Sequence, residues 1–559
     1  MPEKAEVTAT GAEAAQEDAI GLGDAHQIHA VNSLRIESLG RPSGELHDVE
    51  LGDELTAAEK EAQAQPYCVH PRWKVNLIVA VAILTGFMSP FTINIYFPEL
   101  TEISQALGVS VEAINLTVTL YLVFQGTTPT IWSAFADSLG RRPVYLVTSA
   151  IYVVANIAIS INNTYPGLMV LRVLQATGSA AAVSISAGTV ADIVEPSRRG
   201  TYMGLVLSVS MIAPAIAPVI GGLCSLASYG WRTVFLLLLA LSVVDFALIA
   251  VWFPETSRHI VGNGSIRPTG INRSLIDIVR EWRHGPPTDA VPAGAVKEPP
   301  RKFMNPLRML GIVLHPDVAI ILATNCTFYS AFSATTVGVS SKLHAIYGLS
   351  TLKVGLCYLP FGTGCSVGSM LCGRMMDRAY RREVARVGFD SRDPERGHEF
   401  PIERVRLQCA WLFVPFLVGA IAGFGWSLRR DVSVAVPLVM FALVGFGVMS
   451  VFNVVQVLIV DLYPKQAASA QAVNNMIRCL GGAVASAVIE YSMNALGVSW
   501  AYTLAAALCA VMVPLLWLEQ KHGMRWRLAR FHREREQAAA ADKATAAAAA
   551  AAEKPETTP

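Results

Sequence analysis

The sequence predicts an all-α integral membrane protein in which twelve membrane-spanning helices form two related bundles of six. Its 559 residues are 53% apolar and only 16% charged, whereas soluble domains carry roughly a quarter charged residues. The charged residues avoid a series of apolar runs, and a run of about 20 apolar residues crosses a bilayer as a helix. A polar turn between the second and third runs also recurs in the second half of the chain.

The apolar runs divide the chain into two halves. We predict spans at 75–95, 113–135, 143–162, 167–193, 201–227 and 232–254 in the first half, and at 313–338, 352–376, 407–427, 433–460, 467–490 and 499–518 in the second. The predicted domains are a disordered acidic tail at 1–74, a six-helix bundle at 75–254, a linker at 255–312, a second six-helix bundle at 313–518, and a basic, then Ala-rich tail at 519–559.

The distribution of basic residues predicts the orientation in the membrane. Arg is frequent in the turns 137–142, 194–199 and 378–406, whereas 96–112 holds three acids and no base. Because Lys- and Arg-rich loops stay in the cytoplasm, we expect the linker and both termini on that side. Residues 1–65 contain fourteen acids, four bases and no apolar core, so we do not expect a cleavable signal peptide there.

The recurring turn joins two spans through an acid and a pair of arginines. In the first half it runs from Trp132 to Pro143, and in the second half it follows the eighth span. The residues of interest are Asp137, Gly140, Arg141 and Arg142 in the first copy, with Asp377 and Arg378 in the second. Asp137 aligns with Asp377, and the pair Arg141 and Arg142 aligns with Arg381 and Arg382. A duplicated membrane half with matched cytoplasmic turns is typical of a secondary transporter.

Composition and motifs argue against several other classes of protein. The chain has no phosphate-binding Gly-x-x-x-x-Gly-Lys-[Ser/Thr] loop, so we expect no nucleotide or other cofactor and a proton gradient as the energy source. A net charge of +1 gives no reason to expect nucleic acid binding. The nine cysteines lack metal-ligand spacing, so we expect no metal site. The expected partners are the lipid bilayer and a small-molecule substrate, and we expect a monomer.

Charged side chains within predicted spans are functional candidates because their burial in lipid is costly. Arg172 lies in the fourth span with Gln175 and Ser179 on the same helix face. It is either a cavity-lining cation or a structural arginine capped by backbone carbonyls. Asp245 lies in the middle of the sixth span. It is either a proton carrier or a packed structural acid, since a carboxylate removed from water holds its proton more tightly.

Two further charges fall in the eleventh span. Arg478 shares a polar face with Asn474 and Asn475, so it either lines a cavity or pairs with an acid of a neighbouring helix. Glu490 lies near the outer end of the same span. We expect Glu490 to be an exposed interfacial acid rather than a proton carrier.

Aromatic and amide side chains of the second half are candidates for the lining of a substrate cavity, although aromatic stripes also serve as packing. These candidates are Phe328, Tyr329, Phe332, Tyr358, Asn453, Gln456 and Asn474. The fifth span contains small residues and prolines, which allow close helix approach and kinks. The residues concerned are Gly204, Pro218, Gly221 and Gly222, and ordinary helix packing is the alternative explanation.

The segments outside the spans contain two patterned stretches. Apolar residues recur at helical spacing from Ile271 to Trp282, among arginines. This pattern predicts either an interfacial amphipathic helix or a soluble helix docked on the two bundles. Residues 525–533 are basic and aromatic, and we expect them to contact anionic lipid headgroups.

Three of these motifs resemble signatures of the major facilitator superfamily, specifically its twelve-span drug:proton antiporter branch. They are the 132–143 stretch, Arg172 with Gln175, and Gly204 with Pro218, Gly221 and Gly222. Further stretches resemble the fungal quinidine-resistance-type subgroup, namely Asn94–Pro98, Phe400–Arg406 and Val460–Cys479. The likeness covers about residues 70–520, with departures such as Ser133 where a glycine is usual.

The resemblance implies two six-helix bundles around a central cavity that opens to alternate sides. It implies that Asp137, Arg141 and Arg142 form a cytoplasmic latch with the other half, whose charge pairs form in the outward-open state. Bacterial relatives often carry an Asp where Asn94 stands. Because an Asn cannot carry a proton, a proton-carrying role would have to lie at another residue, for which Asp245 is a candidate.

The fifth-span signature implies export. We therefore expect a protein that is not an enzyme but a proton-coupled antiporter, located in the plasma membrane rather than the vacuolar membrane. The expected cargo is an amphiphilic small molecule, because substrates of the subgroup include drugs, weak organic acids, polyamines and self-made metabolites such as glycolipids. The alternatives are an uptake carrier for organic acids or sugars and a transport-inactive nutrient sensor.

Overall fold

The structure is a computed structural model that describes residues 67–195, 202, 205–206, 209, 212–284, 313, 315–389, 396–429, 431–463 and 467–552. These residues form helices joined by turns, without a β-strand. The predicted disordered tail lies outside the described residues up to position 66, and so does Gly204.

The described part of the first half is a series of helices. In chain order they are α1 (Arg72–Tyr96), α2 (Leu100–Leu107), α3 (Val111–Leu139), α4 (Arg141–Ile161), α5 (Tyr165–Ile193), α6 (Ala213–Cys224) and α7 (Arg232–Trp252). A 3₁₀ turn at Phe97–Glu99 joins α1 to α2. Ser110 begins α3, because its Oγ accepts a hydrogen bond from the Ala113 N–H at 3.3 Å. The break between α3 and α4 falls at Gly140, whose φ of 106° is unfavourable for other residues.

The second half repeats this arrangement after a linker, whose described residues contain two α-helices, α8 (Arg258–Val261) and α9 (Leu275–His284). Its helices are α10 (Pro316–Tyr347), α11 (Thr351–Leu356), α12 (Tyr358–Val387), α13 (Ile402–Ser427), α14 (Ala435–Leu462), α15 (Ala467–Leu496) and α16 (Val498–Ala552). Helix α16 continues well beyond the predicted end of the last span at 518, because Ala, Glu, Lys and Arg, all strong helix formers, follow.

The described helices account for the predicted spans. Ten helical segments are long and apolar enough to cross a membrane, by length and composition, and they coincide with ten of the twelve predicted spans. Helix α3 is long enough with 29 residues, but its Thr, Gln and Asn side chains make it less apolar. The 12-residue α6 is the described part of the predicted fifth span.

The helices pack as two bundles that meet along two seams. In the first half α5 packs against α1, α3 and α4, and α4 packs against α7. In the second half α14 packs against α12 and α13, and α10 packs against α15 and α16. The first seam joins α3 to α15, and the second joins α6 to α11 and α12.

Glycines bring the helices of the two seams into close contact. A Cβ at Gly126 of α3 would lie 2.8 Å from the Cβ of Cys479 in α15. A Cβ at Gly222 of α6 would lie 2.9 Å from the Cα of Leu352 in α11. Larger side chains at these positions would push the two halves apart.

Polar contacts across the seams gather toward the end of the molecule that carries residues 96–112. They include Thr119 Oγ1 to Ser486 Oγ at 2.9 Å, Asn494 Nδ2 to Glu112 Oε1 at 2.7 Å, and Thr351 Oγ1 to Glu102 Oε2 at 3.5 Å. The two halves are therefore joined at this end.

The two patterned stretches outside the spans differ in their contacts. The apolar residues on and before α9 remain exposed, including Trp282 at 85%, which favours the interfacial helix over the docked one. By contrast, Arg527 and Arg530 turn into the second half. They pair with Glu403 at 2.6 Å and Asp317 at 2.9 Å, so these two arginines contact protein carboxylates where we expected lipid headgroups.

Close packing inside the first half predicts that Gly221→Ala destabilises the protein. A Cβ at Gly221 of α6 would overlap the carbonyl oxygen of Ile95 in α1, and such overpacking costs about 1–3 kcal/mol. We expect a lower melting temperature for the detergent-solubilised variant. Gly373→Ala is the matched control, because a Cβ there meets no atom within 4 Å. Equal melting temperatures for the two variants would contradict this packing.

Candidate functional site

A charged cluster, here called the first clasp, holds the turn between α3 and α4 against the end of α5. Arg141 Nη1 lies 2.8 Å from Asp137 Oδ1, and Arg141 Nε lies 3.0 Å from Asp192 Oδ2. The guanidinium lies over Gly188 of α5, where a Cβ would come within 2.9 Å of Arg141 Cζ. All these residues belong to the first half. The expected latch with the second half, in another conformation, stays a prediction.

Glu255, just after α7, caps the start of α4. Its Oε1 accepts from the Arg141 N–H at 2.9 Å, and its Oε2 accepts from the Arg142 N–H at 3.2 Å. Its Oε1 also accepts from the backbone N–H groups of Thr256 and Ser257. Burial raises the pKa of the Glu255 carboxyl, and these N–H donors oppose the rise. A carboxylate at a helix N-terminus is also favoured by the helix dipole.

The same contact explains why the turn requires glycine. A Cβ at Gly140 would overlap Oε2 of Glu255. Our sequence reasoning missed Glu255 and Asp192 as members of this site. The available signal was an acid at the end of the fourth apolar run and another directly after the sixth.

The second half contains a related cluster, but with residues other than those we aligned. Asp377 and Arg378 are exposed on the uninterrupted helix α12. Instead, Arg406 Nε near the start of α13 lies 2.9 Å from Asp461 Oδ2 at the end of α14. This second clasp uses the same atoms as Arg141 and Asp192, so the counterpart of Arg141 in the second half is Arg406 and not Arg381, with which the spacing from Asp377 pairs it.

Arg172 lies inside the first bundle, with no exposed surface. Its guanidinium carbon lies 4.1 Å from the ring centroid of Tyr96 and 4.4 Å from that of Tyr121. Its Nη1 donates to Gln175 Oε1 at 2.6 Å, while Nε and Nη2 lack a hydrogen-bond partner. Gln175 in turn donates to Asn156 Oδ1 at 2.7 Å. The guanidinium of Arg172 is therefore held by cation–π contacts with these two rings and not by the backbone carbonyls that we considered as an alternative.

Asp245 is also buried, between α1, α4 and α7. Its Oδ1 lies 2.7 Å from the Thr85 hydroxyl, and its Oδ2 lies 3.2 Å from the Ser149 hydroxyl. In the described part of the chain no cation pairs with this carboxyl. Asn94, near the end of α1, donates to the carbonyl of Pro90 at 2.7 Å and takes no part in this cluster.

The second bundle holds its own cation on aromatic rings. The guanidinium carbon of Arg478 lies 4.3 Å from the ring centroid of Tyr329 and 5.1 Å from that of Phe452. Arg478 donates to Asn475, whose Nδ2 reaches the Gln125 carbonyl across the seam at 3.3 Å. Arg478 Nε has no partner. This residue therefore lies beside the seam, and no acid among the described residues pairs with it.

The amide candidates form a network beside this arginine. Asn474 accepts from Asn325 Nδ2 at 2.6 Å and donates to Gln456 Oε1 at 3.0 Å. Asn453 donates to Ser369 Oγ at 2.7 Å. We had not singled out Asn325.

Two of the aromatic candidates for the cavity lining, Phe328 and Tyr358, are almost completely buried. Phe328 and Tyr358 are 2% and 1% exposed, and the Tyr358 hydroxyl donates to the Thr336 carbonyl. Phe332 packs on Tyr329 with ring centroids 5.1 Å apart. In this conformation Phe328 and Tyr358 serve as packing.

The fifth-span residues allow close helix approach. A Cβ at Gly355 of α11 would overlap the Pro218 carbonyl, so Pro218 and Gly222 both lie on the seam with the second half. Gly221 instead faces α1 at Ile95.

Glu490 is not the exposed acid that we expected. It is 5% exposed, and its Oε1 lies 2.6 Å from the Nζ of Lys342. Its Oε2 accepts from the Ser341 hydroxyl at 3.0 Å. We predicted exposure from the position of Glu490 near the end of its span. Lys342 of the neighbouring helix α10 pairs with this acid in the interior of the bundle.

The two bundles and their polar clusters define a membrane carrier, and the chain belongs to the Major Facilitator Superfamily, whose family model matches residues 82–486. It is a multi-pass membrane protein and a secondary transporter, not an enzyme. The predicted all-α fold of twelve helices in two bundles is thereby confirmed, as is the resemblance to fungal exporters of this superfamily.

Its relatives include fungal transporters. MFS-type transporter phiD of a fungal species (strain ATCC 74256) is 36% identical over 471 residues, which cover 84% of this chain and 71% of that protein. Citrate exporter 1 of Aspergillus niger is 34% identical over 485 residues, which cover 86% and 91%. The crystal structure of a bacterial homologue of the human lysosomal transporter Spinster has the same fold. Its TM-score is 0.58 at 12% identity, with 82% of this chain and 99% of that chain covered.

The cap of α4 predicts that Glu255→Ala frees the backbone of the turn after α3. The N–H groups of Arg141 and Arg142 would lose their acceptor, which costs about 1–3 kcal/mol for a buried donor. We expect faster hydrogen–deuterium exchange in the peptide that contains these two residues. Glu195→Ala is the control, because Glu195 is exposed. Unchanged exchange in Glu255→Ala would show that the cap does not hold the turn.

Proposed function

We propose that this protein is a proton-coupled antiporter that exports an amphiphilic small molecule carrying an anionic group. The observation that carries the proposal is a pair of buried charges in the first half, Arg172 and Asp245, neither of which has an ion-pair partner among the described residues. Uncompensated charges are rare inside membranes and mark ion or substrate pathways.

The surroundings of Asp245 suit a carboxyl that gains and loses a proton. The Thr85 hydroxyl lies 2.8 Å from the Val81 carbonyl and 2.7 Å from Asp245 Oδ1, and it has one hydrogen to donate. With Asp245 protonated, its O–H donates to Thr85, and Thr85 donates to Val81. With Asp245 ionised, Thr85 can donate its single hydrogen either to the Val81 carbonyl or to Asp245 Oδ1, but not to both. The hydrogen bonds are therefore complete only in the protonated state.

The surroundings of the two arginines suit an anionic cargo. Arg172 Nε and Nη2 and Arg478 Nε are buried donors without acceptors, and such donors cost free energy until an acceptor arrives. A carboxylate on the cargo would satisfy them with charge-assisted hydrogen bonds. The aromatic rings around both arginines would accept the apolar part of the same molecule.

Two observations support export. The similar Aspergillus niger protein is a citrate exporter by name, and Pro218, Gly221 and Gly222 match the exporter signature of the fifth span. We place the protein in the plasma membrane with both termini and the linker in the cytoplasm. The end that carries residues 96–112 then faces outward, and we call it the outer end.

Reconstituted protein tests this function. In proteoliposomes with an imposed pH gradient and a panel of labelled organic anions, including citrate, we expect at least one anion to exchange for protons. Asp245→Asn should keep anion binding but lose the acceleration by the pH gradient, because the amide cannot ionise. Asp431→Asn, an exposed acid paired with Arg429, is the control and should behave like the parent.

Two results would contradict the proposal. One is an Asp245→Asn variant that still responds fully to the pH gradient. The other is anion movement in the same direction as the protons, which would make the protein an uptake carrier.

A further inference from the structure

A second unpaired acid lies outside the clasps and the polar clusters already described. Glu99 ends the turn between α1 and α2 and has no exposed surface. Neither of its carboxyl oxygens has a hydrogen-bond partner. Turns usually run over the protein surface, where water solvates their charged side chains. A fully buried acid in a turn, without a hydrogen-bond donor, therefore requires an explanation.

This turn lies between the two halves. The Pro98 carbonyl accepts from the Ser340 hydroxyl of α10 at 3.5 Å, and Phe97 stacks on Tyr358 of α12 with ring centroids 6.4 Å apart. A cavity of about 240 Å³ adjoins the turn, with Glu102 on one side and His344 on the other. Glu99 is therefore buried because the halves meet at the outer end.

Glu102 connects the turn to both halves. Its Oε1 accepts from the Trp231 N–H at 3.0 Å, and its Oε2 lies 3.5 Å from the Thr351 hydroxyl of the second half. Glu102 thus accepts hydrogen bonds from both halves, next to Glu99. A second negative charge on Glu99, next to it and out of water, would be repelled and would lack solvation.

In the part of the chain that the structure describes, none of the titratable groups around Glu99 forms an ion pair with it. They are Glu102 on α2, Tyr96 at the end of α1 and Cys224 at the end of α6, with His344 of α10 across the cavity. In this closed arrangement the carboxyl is therefore neutral. Separation of the halves at the outer end would let water reach Glu99, where an ordinary carboxylic acid ionises.

We propose that Glu99 is a proton-binding site at the interface of the two halves. When the outer end closes, one Glu99 carboxylate oxygen takes up a proton from outside water. When the outer end opens, the O–H bond breaks and the proton returns to the outside. The site thus does not carry a proton across the membrane but makes external acid favour the closed outer end.

The linkage between proton binding and conformation sets how strongly pH shifts the population of the closed outer end. Two conformations that differ by one bound proton change their population ratio by up to about tenfold per pH unit. The proposal rests on the proposed orientation and on movement of the two halves, but it does not depend on the cargo or on antiport.

Spin labels can measure this effect in the full-length protein without cargo. Ala106 of α2 and Ala495 of α15 are exposed on opposite halves at the outer end. In cysteine-depleted protein in lipid nanodiscs, double electron–electron resonance gives the distribution of distances between labels at these two positions. We expect the short, closed distance to gain population as the pH falls.

Variants assign the effect to Glu99. Glu99→Gln copies the protonated acid in shape, so we expect the closed distance at every pH. Glu102→Gln removes the neighbouring negative charge, so the transition should remain but move to lower pH. His344→Gln tests the other titratable group at the cavity and should keep the transition of the parent.

Three outcomes would overturn the proposal. They are a parent protein whose distances do not change with pH, a Glu99→Gln variant that keeps the pH dependence, and a His344→Gln variant that loses it. Failure of antiport in proteoliposomes would leave this measurement intact, so the two proposals fail separately.

Discussion

The structure depends on keeping its strong charge pairs within one half or the other. Arg141 with Asp192, Lys342 with Glu490, and Arg406 with Asp461 each join helices of the same bundle. Across the ranges that the structure describes, no ion pair crosses between the halves. Separating a buried ion pair costs several kcal/mol because each charge is left uncompensated. The seams instead use hydrogen bonds that are not ion pairs, together with glycine contacts, so the two bundles can move relative to each other at low cost.

The two clasps make each bundle a rigid unit. In both halves an arginine near the start of the third span (α4 or α13) holds an aspartate at the end of the fourth span (α5 or α14) through the same pair of atoms. The first half adds Glu255, which ties the end of α7 to the start of α4. Rigid units of this kind transmit a change at one end of the bundle to the other, as rocking of the two repeats requires. A proton or an anion bound inside one unit can therefore bias the position of the whole unit.

Much of the fold was predictable because lipid allows few alternatives. Apolar runs predict helices, since every backbone polar group must be satisfied within the segment, and the break at Gly140 follows from its sequence context. The partners of charged residues were harder to predict. Spacing aligned Arg381 and Arg382 with the first arginine pair, yet α12 continues to Val387 and Arg406 forms the second clasp. Glu490 was misjudged for the same reason: hydropathy gives depth along one helix, while its burial depends on Lys342 of another.

The most direct test of the central claim is a reversible cross-link across the first seam. Thr119 Oγ1 and Ser486 Oγ lie 2.9 Å apart on opposite halves, so cysteines at these two positions should form a disulfide in an otherwise cysteine-depleted protein. If the halves must separate at this end during each cycle, oxidation should stop transport in proteoliposomes, and reduction should restore it. The single variants Thr119→Cys and Ser486→Cys should be insensitive to oxidation. Full transport by the cross-linked double variant would contradict the account.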